Sequence, residues 1–305
     1  MKVAITSKAF ANNPTLRQEV ESHFEDCRFN TTGRLLTETE FIEFLTDCDG
    51  AIVAMEEVVA PVLDTLDKLK VIAKFGVGLN NIDLDYCRSK NIPVKWTAGV
   101  NKQSVAEMAL GFMLMLSRNL YVTSNQLKAG TWNKSGGQSL YGKTIGIIGF
   151  GHIGQELARI LQPFNCRLLV NDIIDVSTQC DAFGAQLASK TEIYARADII
   201  SLHTPLDDST FHLFDKSAFA AMQRAPIVLN TARGDLIDLP ALQRALETGQ
   251  ISAAAIDVYD QEPPQHPELL SMPNLICTPH IGGNSKEATL AMGRSAIAHL
   301  VEHLR

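Results

Sequence analysis

The sequence predicts an α/β protein of two domains, each a parallel sheet flanked by helices. Three observations carry that expectation. Short runs rich in Val and Ile alternate with helical patterns along nearly the whole chain, as in parallel strands covered on both faces. The 305 residues suffice for about two cores of roughly 150 residues each. The alternation also falls into two blocks, the second led by a glycine-rich segment, GKTIGIIGFGHIG, at 142–154.

In the first block KVAIT (2–6), GAIVA (50–54), VIAKF (71–75) and PVKW (93–96) have the character of strands. TLRQEVESHF (15–24), TETEFIEFLTD (37–47) and VAPVLDTLDKL (59–69) have that of helices. Thr37 with Glu40 three residues on is a capping-box signature for the second of them. The second block gives TIGIIGF, RLLVND, ADIISLHT, PIVLNTAR, SAAAIDVY and LICTPH as five or six strands of a doubly wound sheet. The tail from about Ser285 to Arg305 is one amphipathic helix. No low-complexity linker or short repeat interrupts the chain.

Composition narrows the function classes. The formal net charge is −7 with no concentrated basic face, which argues against nucleic acid as a partner. The start, MKVAITSKAF, lacks the apolar core of a signal peptide. The greasiest run, Met108 to Leu116, is too short for a bilayer and fits a buried or interface helix. Six cysteines form no C-x-x-C pair and no metal-type cluster, so free thiols in a reducing cytoplasm and no metal site are expected.

The glycine segment meets the demands of a dinucleotide loop. The strand Thr144–Gly149 runs into it and a helix begins at about Ile153. Gly149 permits the turn, Gly151 admits a pyrophosphate close to the backbone, and Gly154 lets the helix pack on the strand. The phosphates then meet the N–H groups and positive dipole of a helix N-terminus, where His152 and Ile153 would contribute through their backbone. Asp172 ends the next strand, 18 residues past Gly154, near the spacing of an acid that binds the adenosine ribose. Ile173 and Ile174 follow it and no arginine is placed for a 2′-phosphate, so NAD is favoured over NADP in a Rossmann-type domain.

Three later strand ends carry reactive side chains: Arg233 in NTARGD, Glu262 in DVYDQEPP and His280 in TPHIGG. Strand carboxyl ends open onto the ligand crevice of such a sheet. Beside a nicotinamide, Arg233 can grip a carboxylate and polarise the adjoining carbonyl, and His280 can exchange the hydroxyl proton. Glu262 can orient the imidazole and favour its charged form.

GFGHIG with Asp172, NTARGDLID, DVYDQEPP and TPHIGG, in this order, resemble the D-2-hydroxyacid dehydrogenase family. KFGVGLNNID (74–83) and AGVNKQSVAEMALGFML (98–114) match as well. The resemblance implies a flavodoxin-like substrate domain, 1–98 plus 283–305, into which the NAD-binding domain, 99–282, is inserted. It implies hinges near 98–101 and 281–284, a cleft between the domains, and a homodimer with 105–116 in its interface. It also implies an Arg233, Glu262 and His280 catalytic set, and substrate contacts from Val77 and Gly78 backbone and from Asn101. His203, Thr204, Pro205, Thr231, Ala232 and Asp257 would line the cofactor.

Plainer readings stand beside these. His203 suits a structural hydrogen-bonding histidine better than a catalytic one, 76–78 also fits a simple turn, and Cys277 a small core residue. For the substrate, phosphoglycerate dehydrogenases carry basic residues after the strand matching GAIVA, whereas this chain has Met55-Glu56-Glu57-Val58. Lys74 and Lys102 are the cations that could compensate. A small 2-hydroxy or 2-oxo acid is therefore expected, with 3-phosphoglycerate the alternative. The chain ends after one closing helix, so feedback through C-terminal regulatory domains is not expected. A rival of another class is an NAD(H)-sensing corepressor-like binding protein, against which the intact Arg-Glu-His set weighs.

Overall fold

The computed structural model describes residues 1–305, which divide into two compact units, Met1–Asn101 with Gly283–Arg305, and Lys102–Gly282. The first crossing falls three residues later than the sequence places it. Asn101 stays with the first unit because it packs against Gly283, where an added Cβ would lie 2.7 Å from Asn101 Nδ2.

In the first unit, five parallel strands, β1 (Lys2–Ile5), β2 (Asp26–Phe29), β3 (Gly50–Val53), β4 (Val71–Lys74) and β5 (Val94–Lys95), lie in the order β2-β1-β3-β4-β5. The edge strand β2 was not anticipated. Its residues are only partly buried, so it lacks the apolar run of β3 and β4, every residue of which is buried. The expected helix at 59–69 shrinks to Ala60–Leu63. Leu63, Leu66 and Leu69 still reach the core, but Leu66 N–H donates to Leu63 O and Leu69 N–H to Leu66 O. Their spacing of three suits such i→i+3 turns better than a 3.6-residue helix. Thr37 and Glu40 form the capping box of the helix Glu38–Leu45. The closing helix, Lys286–Leu304, buries Met292, Ala296, Ile297 and Leu300 against Val3, Ile5 and Leu16. Met292, Ile297 and Leu300 each contribute roughly 1.5–3 kcal/mol on burial, which fixes the chain's return to this unit.

The second unit has seven parallel strands: β6 (Thr144–Ile148), β7 (Arg167–Asn171), β8 (Gln186–Leu187), β9 (Ile199–Leu202), β10 (Ile227–Asn230), β11 (Ala253–Ile256) and β12 (Leu275–Cys277). Their order is β12-β11-β10-β9-β6-β7-β8. The chain runs outward from β6 through β7 to β8, then restarts on the other side of β6 with β9. That reversal is the switch point at which ligands bind in sheets of this type. The two-residue edge strand β8, exposed on both residues, is the strand the sequence did not disclose.

Register aligns the strand ends. Ile148 pairs with Asn171 and Leu202, Leu202 with Asn230, Asn230 with Ile256, and Ile256 with Cys277. Gly149, Asp172, His203, Thr231, Asp257 and Thr278 therefore leave the sheet along one edge. Val105, Ala106, Ala109, Phe112, Met113 and Leu116 are buried inside this unit. Half of the run 105–116 is thus buried in the core, and no residue of the following helix, Leu120–Lys128, is fully buried. No single helix is long and apolar enough to cross a membrane.

Candidate active site

Gly149 has φ 93°, a left-handed conformation that a side chain would strain. A Cβ there would also lie 2.5 Å from His203 C and 2.7 Å from Thr204 N. The close approach joins the turn after β6 to the end of β9. At Gly151, by contrast, an added Cβ would meet nothing within 4 Å, so the backbone faces open space. Gly151 caps the helix His152–Leu161, and no side chain satisfies its first N–H groups. Such an end receives an anion. His152 is exposed and Ile153 half-buried at its first turn.

Asp172 accepts from Phe150 N–H at 2.6 Å through one oxygen and from Ile173 N–H at 2.7 Å through the other. The acid is thereby fixed beside the glycine turn. Ile173 is 87% exposed and Ile174 65%, an apolar ledge next to it.

Three polar atoms near these strand ends are buried without a hydrogen-bond partner: His203 Nδ1, Thr204 Oγ1 and Thr231 Oγ1. Buried polar groups are rarely left without a partner, protein, water or ligand. A glycine turn with open space, an uncapped helix end, a fixed acid and orphaned polar atoms together fit a dinucleotide. Pro205 is exposed and Ala232 buried on the same edge.

His203 Nε2 lies 2.9 Å from Ser201 Oγ, and burial pushes its pKa down to about 4. It is neutral, and its hydrogen-bonding role agrees with the plainer sequence reading.

Arg233, Glu262 and His280 come together within the second unit. Asn230 shapes the turn that bears the guanidinium: its Nδ2 donates to Arg233 O at 2.7 Å and its Oδ1 accepts from Ala232 N–H at 3.0 Å. At Gly234 an added Cβ would lie 1.9 Å from Tyr259 C, so only glycine lets this turn rest on the 257–262 segment. Burial lowers the Arg233 pKa, and the nearby Glu262 charge opposes that.

His280 has φ 52°, and its Nδ1 lies 2.7 Å from Glu262 Oε2 and 3.0 Å from Oε1. The Glu262 hydrogen bond raises the imidazole pKa; burial opposes it, the Glu262 and Asp257 charges add to it, and the Arg233 charge subtracts. For Glu262, burial is the largest influence and raises its pKa. The His280 bond and charge, the Tyr259 N–H and the Arg233 charge outweigh it, so the carboxyl sits below its ordinary value.

Asp257, expected at the cofactor, is 1% exposed and engaged within the chain. Its Oδ1 accepts from Thr278 Oγ1 at 2.6 Å and Ile281 N–H at 2.9 Å, and its Oδ2 from Gly282 N–H at 2.7 Å. A buried carboxylate flanked by these donors holds the loop that carries His280. Tyr259 Oη donates to Thr278 O at 3.0 Å and braces the same loop. The sequence pointed to neither Asn230 nor Thr278 for these tasks, although both sit inside the motifs that held Arg233 and His280.

Val77, Gly78 and Asn101 belong to the first unit. Val77 and Gly78 form an irregular, half-buried turn after β4. Asn101 is 9% exposed with its Oδ1 unpartnered. Lys74, considered for a substrate phosphate, is 5% exposed and directs Nζ to Ala54 O and to Asn81 Oδ1 at 2.6 Å. Lys102 Nζ lies 3.4 Å from the buried Glu156. Glu56 is turned inward, accepting from Thr6 Oγ1 at 2.7 Å.

Comparison with known proteins agrees with this geometry. Residues 110–282 match the model of the D-isomer specific 2-hydroxyacid dehydrogenase NAD-binding domain. The chain is 37% identical over 274 residues to a D-3-phosphoglycerate dehydrogenase of Methanocaldococcus jannaschii, covering 88% of this chain but only 52% of that protein, so it spans about half that relative's length. It is 33% identical over 303 residues to a hydroxypyruvate reductase of Thermotoga maritima, covering 97% of this chain and 98% of the relative. D-lactate dehydrogenase from Escherichia coli superposes with a TM-score of 0.83 at 28% identity, covering 98% of this chain and 96% of that one. The switch-point sheet, its glycine turn and the match across residues 110–282 have one common explanation: the chain belongs to the D-isomer specific 2-hydroxyacid dehydrogenase family, whose dinucleotide is NAD.

Proposed function

We propose that this protein moves a hydride between NAD(H) and a small, unphosphorylated D-2-hydroxy or 2-oxo acid. The observation that carries the chemistry is the 2.7 Å contact of His280 Nδ1 with Glu262 Oε2 beside Arg233. Reduced nicotinamide, when bound, supplies the hydride. Gly149 to Gly154, with the N-terminus of helix 152–161, hold the pyrophosphate, and Asp172 takes the ribose. His203, Thr204, Pro205, Thr231 and Ala232 line the rest. Arg233 grips the substrate carboxylate and polarises the 2-oxo group. With Nδ1 bound to Glu262, His280 delivers a proton to the substrate oxygen from Nε2. Glu262 keeps the ring charged and oriented for that step.

The unphosphorylated acid is supported by the two candidate lysines, Lys74 at Ala54 O and Asn81, and Lys102 at Glu156. Each already has a partner within the chain, and the segment after β3 exposes Met55 and Glu57. A phosphate there would meet negative charge without a ready cation.

We further propose a homodimer through the second unit. Leu120 is 51% exposed, Leu127 54% and Trp132 75%, around a groove of about 780 Å³. Apolar side chains so exposed are costly in a monomer and ordinary in an interface. A reducing cytoplasm suits the six free cysteines, of which Cys48, Cys87 and Cys180 are buried.

NADH oxidation measured with glyoxylate, hydroxypyruvate, pyruvate and 3-phosphohydroxypyruvate tests the proposal. An unphosphorylated acid should give the highest kcat/KM. Clear preference for the phosphorylated acid would overturn that order, and no oxidation with any would overturn the function.

A further inference from the structure

Residues 257–266, between β11 and the short helix Pro267–Leu270, have no regular secondary structure. Glu262 lies in the middle of this segment, which places the charge partner of His280 on a stretch with little backbone support. Two side chains close it. His266 Nε2 lies 3.0 Å from Asp260 Oδ1 and 3.1 Å from Asp260 Oδ2, and Gln261 N–H donates to Asp260 Oδ1 at 2.8 Å. The tie joins residues six apart and straddles Glu262. Tyr259, next to Asp260, is itself fixed by Tyr259 Oη on Thr278 O, and its N–H reaches Glu262 Oε1 at 3.3 Å.

We propose that His266 is a positioning residue: through Asp260 it closes the 260–266 segment and so holds the Glu262 carboxylate on His280. The inference deepens the proposed function, since its kinetic consequence rests on that reading, but its structural content does not. A partly exposed pair contributes little to global stability, so its loss should free the segment without unfolding the unit. The charged groups acting on His280 are Glu262, Asp257 and Arg233. Asp257 is held independently by Thr278 and the Ile281 and Gly282 N–H groups. Loosening the segment therefore withdraws mainly Glu262, and the midpoint of His280 should fall.

The test is an NMR titration of the His280 ring in the full chain without cofactor, its resonance assigned by its absence in His280→Ala. In His266→Ala the His280 midpoint should drop by on the order of half a pH unit, with little change in melting temperature. His266→Gln, which keeps a donor for Asp260, should restore the original midpoint, and Asp260→Ala should reproduce the drop. An unchanged midpoint in His266→Ala overturns the proposal, as does His266→Gln shifted as far as His266→Ala. Should His266→Ala not fold, Asp260→Ala decides alone, and an unchanged midpoint there is equally fatal. A chain that oxidises no NADH with any 2-oxo acid would remove the dehydrogenase reading while leaving this titration fully decisive for the tie.

Discussion

Glu262 Oε2 lies 2.7 Å from His280 Nδ1, with the imidazole pKa raised and the carboxyl pKa lowered by the contact. The two shifts have opposite signs in pH. His280 is raised from its ordinary 6.5, so its share of the stabilisation is complete below 6.5 and is lost as pH climbs through the raised value. Glu262 is lowered from its ordinary 4.5, so its share is present above 4.5 and lost as pH falls through the lowered value. The pair is strongest between those two ordinary values. Reduction of a 2-oxo acid needs the charged imidazole and should decline as pH rises through the His280 pKa. In Glu262→Gln that decline should begin at lower pH, measured as kcat/KM against pH, and an unmoved profile would contradict the pairing.

Arg233 is half-buried behind the Asn230 turn and feels the charge of Glu262. Arg233→Ala should raise KM for the acid and lower kcat together, because the guanidinium acts on both bound substrate and transition state. Arg233→Lys should recover only part of the loss, since an ammonium lacks the planar fork. Steady-state kinetics at saturating NADH separates the two parameters.

Gly234→Ala tests how the guanidinium is placed. Its Cβ would lie 1.9 Å from Tyr259 C and 2.0 Å from Tyr259 O, both backbone atoms that yield only with the segment bearing Glu262. Overpacking of this kind costs about 1–3 kcal/mol, visible as a lower melting temperature. Turnover should fall further than stability alone explains.

Asp172 is followed by two exposed isoleucines and no cation. NADPH should therefore be used poorly, because its 2′-phosphate would meet a carboxylate. Asp172→Ala combined with Ile173→Arg should weaken NADH and improve NADPH, read from KM for each. Unimpaired use of NADPH by the unaltered chain would contradict the role given to Asp172.

Much of this site was legible because its chemistry sits at strand ends. The apolar runs of β6, β9, β10 and β11 are long enough to read, and register then carries Gly149, His203, Thr231 and Asp257 to one edge. The edge strands β2 and β8 escaped notice because exposed edges carry no apolar alternation. The 59–69 segment misled because leucines spaced by three also fit i→i+3 turns. Asp257 shows a different limit. Its position at a strand end pointed to the cofactor, but its task of holding the 278–282 loop through both carboxylate oxygens shows in no linear pattern. Lys74 likewise revealed its direction only once Ala54 O and Asn81 were in place beside it.

The most direct measurement compares His280→Ala with the unaltered chain for NADH binding by fluorescence and for NADH oxidation by the preferred 2-oxo acid. Proton delivery by His280 predicts retained binding and a turnover reduced by about two orders of magnitude or more. Turnover within a few-fold of the unaltered chain, at every pH tested, would contradict it.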